Sequence, residues 1–225
     1  MEIRPYTTIL FQGDSITDSG RSRKNDEILG TGYAMMVAAW FSAVHPERNA
    51  RFLNRGVSGN GIRELKDRWQ KDCLDLKPDI VSILIGINDS LGKYLWSKPT
   101  PVENFEAYYV SILKQTQSSV NAEIVLLEPF MLSVSSEHIG FREDLNPKIE
   151  VVRRLSKKFK TFLVPLDEIF AKAAKKREPS YWAKDGIHPT LAGHALIAQS
   201  WLECLKWSER ERQNSRPKSL QDNTS

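Results

Sequence analysis

The run Ile80-Val81-Ser82-Ile83-Leu84-Ile85 contains a single polar residue. A strand with one face in water would alternate apolar and polar residues, whereas this run is apolar on both of its faces. Runs of this kind form the interior strands of parallel sheets that carry helices on both sides. The run therefore predicts a central strand of an α/β fold.

Further short apolar runs occur along the chain, and segments with helical periodicity lie between them. The predicted strands are Thr8 to Phe11, Arg51 to Leu53, Ile80 to Ile85, Ile124 to Leu127 and Thr161 to Leu166. One intervening helical segment has an apolar stripe formed by Met36, Val37, Trp40, Phe41 and Val44. The alternation predicts a three-layer α/β/α fold with a doubly wound parallel sheet of about five strands.

The length of 225 residues fits one domain, which we place at residues 1–207. From Ser208 onwards the apolar periodicity is lost, so the tail, residues 208–225, is predicted to be disordered. Cys73 and Cys204 fall at positions consistent with the apolar faces of helices. We therefore expect both to be free, buried thiols rather than a disulfide.

The charge pattern bears on the partners of the protein. The formal net charge is +4 and the pI is about 9.0, but the basic residues are dispersed. The densest basic runs, Lys157 to Lys160 and Lys172 to Arg177, lie on the polar sides of predicted helices. No apolar run approaches the roughly 20 residues that a transmembrane helix requires. We therefore expect neither a nucleic acid partner nor a membrane partner.

The amino terminus and the surface bear on location and assembly. Residues 1–6 contain an early acidic residue and a proline and do not resemble a secretory signal, so a cytoplasmic location is expected. Assembly into a homo-oligomer stays open, because a self-complementary surface is not readable from one sequence.

In a parallel sheet, ligands bind beyond the carboxyl ends of the strands, so the residues after each strand are candidates for a site. The first predicted strand is followed by Gly13-Asp14-Ser15-Ile16-Thr17. Ser15 is a candidate nucleophile there, although a serine at such a junction often only caps a helix. The motif is not the Gly-x-Ser-x-Gly elbow of α/β-hydrolases, because Thr17 occupies the fifth position.

The loops after the second and third predicted strands carry candidate oxyanion donors. Gly59 lies in the glycine-rich loop of residues 54–61, whose backbone N–H groups suit an anion at a helix start. The glycine spacing does not match a dinucleotide fingerprint, and no Walker lysine follows. Asn88 follows the third strand, and its amide N–H can stabilise a developing oxyanion. A purely structural turn is the alternative for both residues.

The segment Asp185-Gly186-Ile187-His188-Pro189 precedes the last predicted helix. An aspartate that accepts a hydrogen bond from one imidazole nitrogen leaves the other nitrogen free to take a proton. His188 is therefore the candidate base, and Asp185 is its orienting partner. The remaining histidines lack the i, i+4 spacing of a helical zinc pair, so no metal site is expected; they are His45, His138 and His194.

Taken together, these four segments resemble the sequence blocks of the SGNH, or GDSL, hydrolases. The Ser, Gly, Asn and His of that name are matched here by Ser15, Gly59, Asn88 and His188. The resemblance extends from about Tyr6 to Trp207. It implies a flavodoxin-like α/β/α fold, and an oxyanion hole formed by the N–H of Ser15, the N–H of Gly59 and the side chain of Asn88. Ester hydrolysis by such a site needs no cofactor.

Within this family, the blocks are similar to those of small bacterial acetylxylan esterases. The similarity implies a serine esterase that removes short acyl groups, acetyl above all, from xylo-oligosaccharides or other acetylated carbohydrates. Two alternatives stay open. One is a thioesterase or lysophospholipase, because the catalytic apparatus does not depend on what lies behind the acyl carbon. The other is a non-catalytic flavodoxin-like module that binds a phosphate or a sugar.

One difference from those esterases concerns contacts with the sugar. They commonly carry Val-Trp-Arg directly after the Asn-Asp pair, whereas Ser90-Leu91-Gly92 follows here. Aromatic side chains that could serve as a sugar platform instead are Tyr94, Trp96, Tyr181 and Trp182, and packing roles are equally open for each of them.

Overall fold

The computed structural model describes residues 3–91, 100–135 and 138–214. Its sheet has five strands, β1 Thr8–Gly13, β2 Arg51–Asn54, β3 Ile80–Leu84, β4 Glu123–Leu127 and β5 Phe162–Val164. All neighbouring strands pair in parallel, in the order β2-β1-β3-β4-β5. The prediction of a five-stranded, doubly wound parallel sheet is confirmed, and this strand order is the flavodoxin-like one.

Ten α-helices occur in the described part of the chain. They are α1 Ser15–Asp18, α2 Tyr33–Val44, α3 Ile62–Asp67, α4 Trp69–Asp72, α5 Ile87–Leu91, α6 Val102–Ser119, α7 His138–Phe159, α8 Leu166–Ala174, α9 Pro179–Trp182 and α10 Leu191–Asn214. Among the described residues, no helix is both long enough and apolar enough to cross a membrane.

Two hydrophobic cores lie on opposite faces of the sheet. Consecutive residues of β1 show the division, since Leu10 belongs to one core and Phe11 to the other. Helices α3 and α6 cover the face of Leu10, and helices α2, α8 and α10 cover the face of Phe11. This alternation along a fully buried strand explains why the strands are apolar on both faces.

Ser82, the single polar residue of the central run, has a hydrogen-bond partner in the core on the Phe11 face of the sheet. Ser82 is fully buried, and its hydroxyl accepts a hydrogen bond of 3.1 Å from the Trp201 indole N–H of α10. A buried hydroxyl that is hydrogen-bonded in this way is tolerated in an otherwise apolar strand.

The chain crosses from β1 to β2 on one side of β1, and then from β2 to β3 on its other side. The point between β1 and β3 is therefore the topological switch of the sheet, where ligands bind in folds of this kind. The loops that follow β1, β2 and β3 all open at this edge.

The structure differs from the predictions at several places. Trp40 and Val44 are 66% and 59% exposed, because the buried face of α2 centres on Val37 and Phe41 instead. The last predicted strand ends earlier, at Val164, because Pro165 lacks the N–H of a strand residue and precedes α8. Cys73 is buried, whereas Cys204 is only half-buried, and both are free.

The carboxyl-terminal helix also extends further than predicted. Helix α10 continues to Asn214, so residues 208–214 are helical although the whole tail from Ser208 was predicted to be disordered. Loss of apolar periodicity was the basis of that prediction, but Glu, Arg and Gln have good helix propensity without an apolar stripe. Residues 215–225 lie outside the described residues.

Candidate active site

Ser15 is placed at the switch point by the end of β1. Asp14 is the N-cap of α1, because its Oδ1 accepts a hydrogen bond of 3.0 Å from the Ile16 N–H. Ser15 is the first residue of that helix, and its hydroxyl lies 2.9 Å from His188 Nε2. The alternative in which Ser15 caps the helix is therefore wrong, since Asp14 has that role and the Ser15 hydroxyl is paired with a histidine.

His188 is oriented by Asp185 within one turn of chain. His188 Nδ1 lies 2.7 Å from Asp185 Oδ2, and Asp185 Oδ1 accepts from the backbone N–H groups of Ile187 and His188 at 3.0 and 2.7 Å. A neutral imidazole that donates from Nδ1 to a carboxylate presents Nε2 as an acceptor for the Ser15 hydroxyl. Ser15, His188 and Asp185 thus form one continuous hydrogen-bonded chain.

Burial and hydrogen bonding act on Asp185 in opposite directions. Partial burial raises the pKa of its carboxyl, but the hydrogen bonds from His188 and Ile187 outweigh burial and hold that pKa below its ordinary value. Asp185 is therefore ionised at neutral pH.

The turn that carries Asp185 and His188 is fastened from two sides. The Gly186 carbonyl accepts a hydrogen bond of 2.8 Å from the Leu132 N–H in the loop after β4. The Trp182 carbonyl accepts from the Thr190 N–H at 2.9 Å, and Ala183 forms an isolated antiparallel bridge with Pro189. These contacts fix the position of the imidazole relative to the sheet edge.

The glycine-rich loop after β2 is held against α1. Asp18 Oδ2 accepts from both the backbone N–H and the hydroxyl of Ser58, at 3.0 and 2.8 Å. The Gly56 carbonyl accepts from Arg21 Nε at 2.6 Å. Gly59 follows with a φ of +81°, a left-handed conformation that favours glycine. The loop therefore presents an exposed backbone next to the helix of Ser15.

Asn88 lies in the second position of α5 and reaches across to the same loop. Its Nδ2 donates a hydrogen bond of 2.9 Å to the Asn60 carbonyl oxygen. This bond joins α5 to the loop after β2, so the Asn88 side chain does not merely close a turn within its own segment. A side-chain amide has two N–H groups, so one of them remains to serve a ligand. The structure thus brings Asn88 next to the neighbour of Gly59.

Two fully buried carboxyl groups lie behind this arrangement. Burial raises the pKa of Asp14 to about 7, while the Ile16 N–H and His188 lower it and Asp89 raises it further. Burial likewise raises the pKa of Asp89 to about 6, against the lowering effect of the Ile62 N–H that Asp89 Oδ2 accepts at 3.0 Å. Asp14 Oδ2 has no hydrogen-bond partner among the described residues.

Two further histidines, His194 and His45, lie outside this hydrogen-bonded chain. His194 is buried in α10, and its Nδ1 accepts a hydrogen bond of 3.2 Å from the Tyr33 N–H of α2. Burial, assisted by the charge of His188, lowers the pKa of His194 to about 4, so it is neutral. His45 is an exposed residue 3.7 Å from Glu47. In the part of the chain that the structure describes, no group of three or more His, Cys, Asp or Glu could hold a metal ion.

The candidate aromatic platforms have different environments. Tyr181 is 39% exposed, and the Arg177 guanidinium lies 4.4 Å from the centre of its ring. Trp182 is half-buried and meets Tyr181 edge-on at 5.1 Å between ring centres. Tyr94 and Trp96 lie outside the described residues.

Reading the sequence did not single out Asp14 or Arg68, which contact the site from within the protein. The N-cap preference for aspartate was a usable signal for Asp14. Arg68 had none, because its hydrogen-bond partners come from β1, from the loop after β2 and from α4.

Comparison with known proteins identifies relatives over nearly the whole chain. Residues 11–196 match the sequence model of the GDSL-like lipase/acylhydrolase family. An acetylxylan esterase of Geobacillus stearothermophilus is 36% identical over 210 residues, which are 90% of this chain and 95% of that enzyme.

Solved structures agree with this match. A Parabacteroides merdae protein assigned as a GDSL-like lipase has a TM-score of 0.88 at 35% identity, over 91% of this chain and 98% of its own. The acetylxylan esterase Axe2 of Geobacillus stearothermophilus has a TM-score of 0.85 at 35% identity, over 91% of this chain and 96% of its own. Catalytic mutants of Axe2 have a serine, a histidine or an aspartate replaced by alanine. The chain belongs to the GDSL-like lipase/acylhydrolase family and is a serine carboxylic-ester hydrolase.

Proposed function

We propose that this protein removes short acyl groups, chiefly acetyl, from xylo-oligosaccharides or other acetylated carbohydrates. The observation that carries the proposal is the chain of hydrogen bonds from Ser15 Oγ to His188 Nε2 and from His188 Nδ1 to Asp185, at 2.9 and 2.7 Å. In this proposal Ser15 is the nucleophile, His188 is the general base and Asp185 orients it.

Acylation begins when Ser15 Oγ attacks the ester carbonyl carbon and passes its proton to His188 Nε2. The Asp185 carboxylate stabilises the imidazolium that forms. Negative charge develops on the carbonyl oxygen, and the proposed donors are the backbone N–H groups of Ser15 and Gly59 and the Asn88 side chain. The tetrahedral intermediate collapses, and the leaving alcohol takes the proton from His188.

Deacylation repeats these steps with water as the nucleophile. His188 takes a proton from the water, which attacks the acyl carbon attached to Ser15. The same donors stabilise the second oxyanion. When the intermediate collapses, the Ser15 oxygen leaves as the alcohol by taking back the proton from His188, and the carboxylic acid is released.

The acetyl and carbohydrate parts of the proposal are supported by the relatives. Both the curated relative and the structural neighbour Axe2 are named acetylxylan esterases, and an Axe2 variant is named an acetyl-xylooligosaccharide esterase. Tyr181 is 39% exposed, with the Arg177 guanidinium over one face of its ring, and it precedes in sequence the segment that carries Asp185 and His188. Sugar rings pack on aromatic faces of this kind.

Replacing the nucleophile tests the assignment of Ser15. We expect Ser15→Ala to reduce turnover of p-nitrophenyl acetate by at least about 10⁴-fold, because the remaining catalysis would come from the oxyanion donors and substrate binding alone. The free energy of unfolding of the variant, measured by thermal unfolding, should stay within about 1 kcal/mol of the wild-type value, since Ser15 fills no core position. A variant that keeps near-wild-type turnover contradicts the proposed role.

The substrate is tested separately with two series of esters. Acetate release from acetylated xylo-oligosaccharides is compared with release from other acetylated sugars, and p-nitrophenyl esters are compared from acetate to palmitate. We expect the highest kcat/KM for acetate among the p-nitrophenyl esters. Preference for long acyl chains would instead favour a lysophospholipase or thioesterase. Both series use Ser15→Ala as the blank.

A further inference from the structure

Arg68 lies between α3 and α4, and its side chain is only 16% exposed. Its guanidinium donates to the Gly13 carbonyl oxygen at 3.1 Å, to the Arg55 carbonyl oxygen at 2.8 Å and to Asn60 Oδ1 at 2.9 Å. Gly13 ends β1, whereas Arg55 and Asn60 lie near the two ends of the loop after β2. One side chain therefore joins the loop of the nucleophile to the glycine-rich loop.

The guanidinium is itself held in one orientation. Its Nη1 also donates to Gln12 Oε1 at 2.9 Å and to Asp72 Oδ2 at 3.1 Å. Asp72 accepts a further bond of 2.9 Å from Arg55, so the carboxylate fixes two arginines at once. Each of the three guanidinium nitrogens of Arg68 has at least one acceptor. A planar group with partners in three directions has little freedom to rotate.

Each proposed oxyanion donor is one short step from a partner of Arg68. The Ser15 N–H is two residues beyond Gly13, and the Gly59 N–H belongs to the neighbour of Asn60. The Asn60 carbonyl accepts the hydrogen bond of 2.9 Å from Asn88 Nδ2. Asn60 is thus held by Arg68 through its side chain and holds Asn88 through its backbone.

We propose, on the basis of the function proposed above, that Arg68 is a positioning residue that sets the spacing of the three oxyanion donors. It does not touch the substrate in this role. Oxyanion donors act on charge that develops in the transition state, so their displacement lowers kcat and leaves KM nearly unchanged. A misplacement of about 1 Å caused by a distant mutation can cost about 10²-fold in rate.

The test measures kcat and KM for p-nitrophenyl acetate in variants of this network. For Arg68→Met we expect kcat to fall by about 10²-fold, while KM stays within about threefold of the wild type. Arg68→Lys should recover part of kcat, because the ammonium keeps the charge but cannot reproduce the three-way donor geometry. Asn60→Ala removes only the side-chain acceptor of Arg68 and should also lower kcat.

A double-mutant cycle separates positioning from general stability. If Arg68 acts through the oxyanion donors, Arg68→Met in the Asn88→Ala background should cost less than about tenfold in kcat, because one donor that it positions is already absent. The matched control is Arg153→Met on α7. Arg153 is a partly buried arginine whose side chain donates to Glu128, Glu150 and Glu168, all of which lie outside the loops after β1, β2 and β3. This control should lose thermal stability and keep kcat.

The outcomes distinguish this inference from the proposed function. Near-wild-type turnover by Ser15→Ala overturns the proposed function itself. If Ser15→Ala is inactive while Arg68→Met and Asn60→Ala keep kcat within about threefold, only the role of Arg68 is overturned. The role of Arg68 is also overturned if the fold-losses of kcat in Arg68→Met and Asn88→Ala multiply in the double variant. A loss of kcat in Arg153→Met as large as that in Arg68→Met overturns it as well. Should Arg68→Met fail to fold, Arg68→Lys and Asn60→Ala carry the test.

Discussion

At the scale of single residues, the hydrogen-bond partners of Asp14 and Ser15 determine which side chain is available to His188. Both could accept a hydrogen bond from the start of α1, and aspartate and serine are equally good N-caps. The Asp14 carboxylate takes the Ile16 N–H, so the Ser15 hydroxyl is left for His188. Asp14 is buried, at 1% exposed, and one of its carboxyl oxygens has no hydrogen-bond partner among the described residues.

The burial of the Asp14 carboxyl group predicts a pH dependence of stability. The pKa of Asp14 is about 7 in the folded protein, above its ordinary value of 3.8, so folding favours the protonated form. Its contribution to stability is present below pH 3.8 and is lost as the pH rises to 7. Asp14→Asn keeps the N-cap oxygen and carries no charge. The free energy of unfolding of the wild type relative to this variant should fall by up to about 1.4 kcal/mol per pH unit in that window.

Chemical denaturation between pH 4 and pH 8 measures this difference. Asp67→Asn, which removes an exposed carboxylate from α3, is the control for the loss of one surface charge. A wild-type to Asp14→Asn difference that stays constant over the whole range contradicts the assignment of a raised pKa to Asp14.

At the scale of elements, the position of α10 relative to the turn of His188 depends on a glycine. Gly193 lies in the first turn of α10, where a Cβ would lie 2.2 Å from the Trp182 carbonyl oxygen. That carbonyl also accepts the Thr190 N–H. The helix therefore approaches the segment before Asp185 as closely as its backbone allows.

Gly193→Ala should consequently destabilise the protein, against the usual trend. An alanine in place of glycine within a helix ordinarily stabilises by about 1 kcal/mol. Here the methyl group must push α10 away from Trp182, and overpacking of this kind costs typically about 1–3 kcal/mol. Thermal unfolding shows whether the variant is less or more stable than the wild type. A more stable variant would show that α10 and the segment of Trp182 can move apart freely. Because Trp182 leads into the turn of His188, we also expect kcat to fall.

Helix α10 makes a second contact through His194, whose hydrogen bond from the Tyr33 N–H joins it to the start of α2. The pKa of His194 is lowered to about 4 from 6.5, so this neutral histidine stabilises the fold above pH 6.5 and loses that contribution as the pH falls towards 4. The buried His194 thus has a structural role, which its hydrogen bond from the Tyr33 N–H explains.

At the scale of the whole molecule, the two cores are joined to the sheet by contacts between distant parts of the chain. Ser82 on β3 and Trp201 on α10 are 119 residues apart, and both are buried. Their hydrogen bond fixes the last helix against the central strand. The carboxyl-terminal third of the chain thereby carries Asp185 and His188 to the sheet edge where β1 has placed Ser15.

Ser82→Ala tests this contact. Alanine is more apolar than serine and would suit an interior strand, but it leaves the buried Trp201 N–H without its acceptor. An unsatisfied buried donor costs about 1–3 kcal/mol, so the variant should be destabilised by that amount. Equilibrium unfolding by urea measures it, and Ser82→Ala should cost less in a Trp201→Phe background, where the indole N–H is already absent, than in the wild type. Equal stability of wild type and Ser82→Ala would show that the hydrogen bond between Trp201 and Ser82 does not contribute to the free energy of unfolding.

The sequence by itself determined the strands, their parallel arrangement and the residue types at the ends of β1, β2 and β3. These features are local, because the faces of a strand and the residues after it are fixed by neighbouring positions in the chain. The resemblance of the four loops to a known family added the pairing of Ser15 with His188, which lie 173 residues apart.

Only the tertiary structure decided which groups support that pairing. The exposure of Trp40, the capping by Asp14, and the partners of Arg68 depend on surfaces that meet after the chain has folded. Arg68 bonds to residues from 4 to 56 positions away, and no periodicity or spacing encodes such contacts. A hydrogen bond between distant loops is determined by packing of the elements between them. The proposed roles of Ser15 and His188 were therefore readable in sequence, whereas the contacts that support them were not.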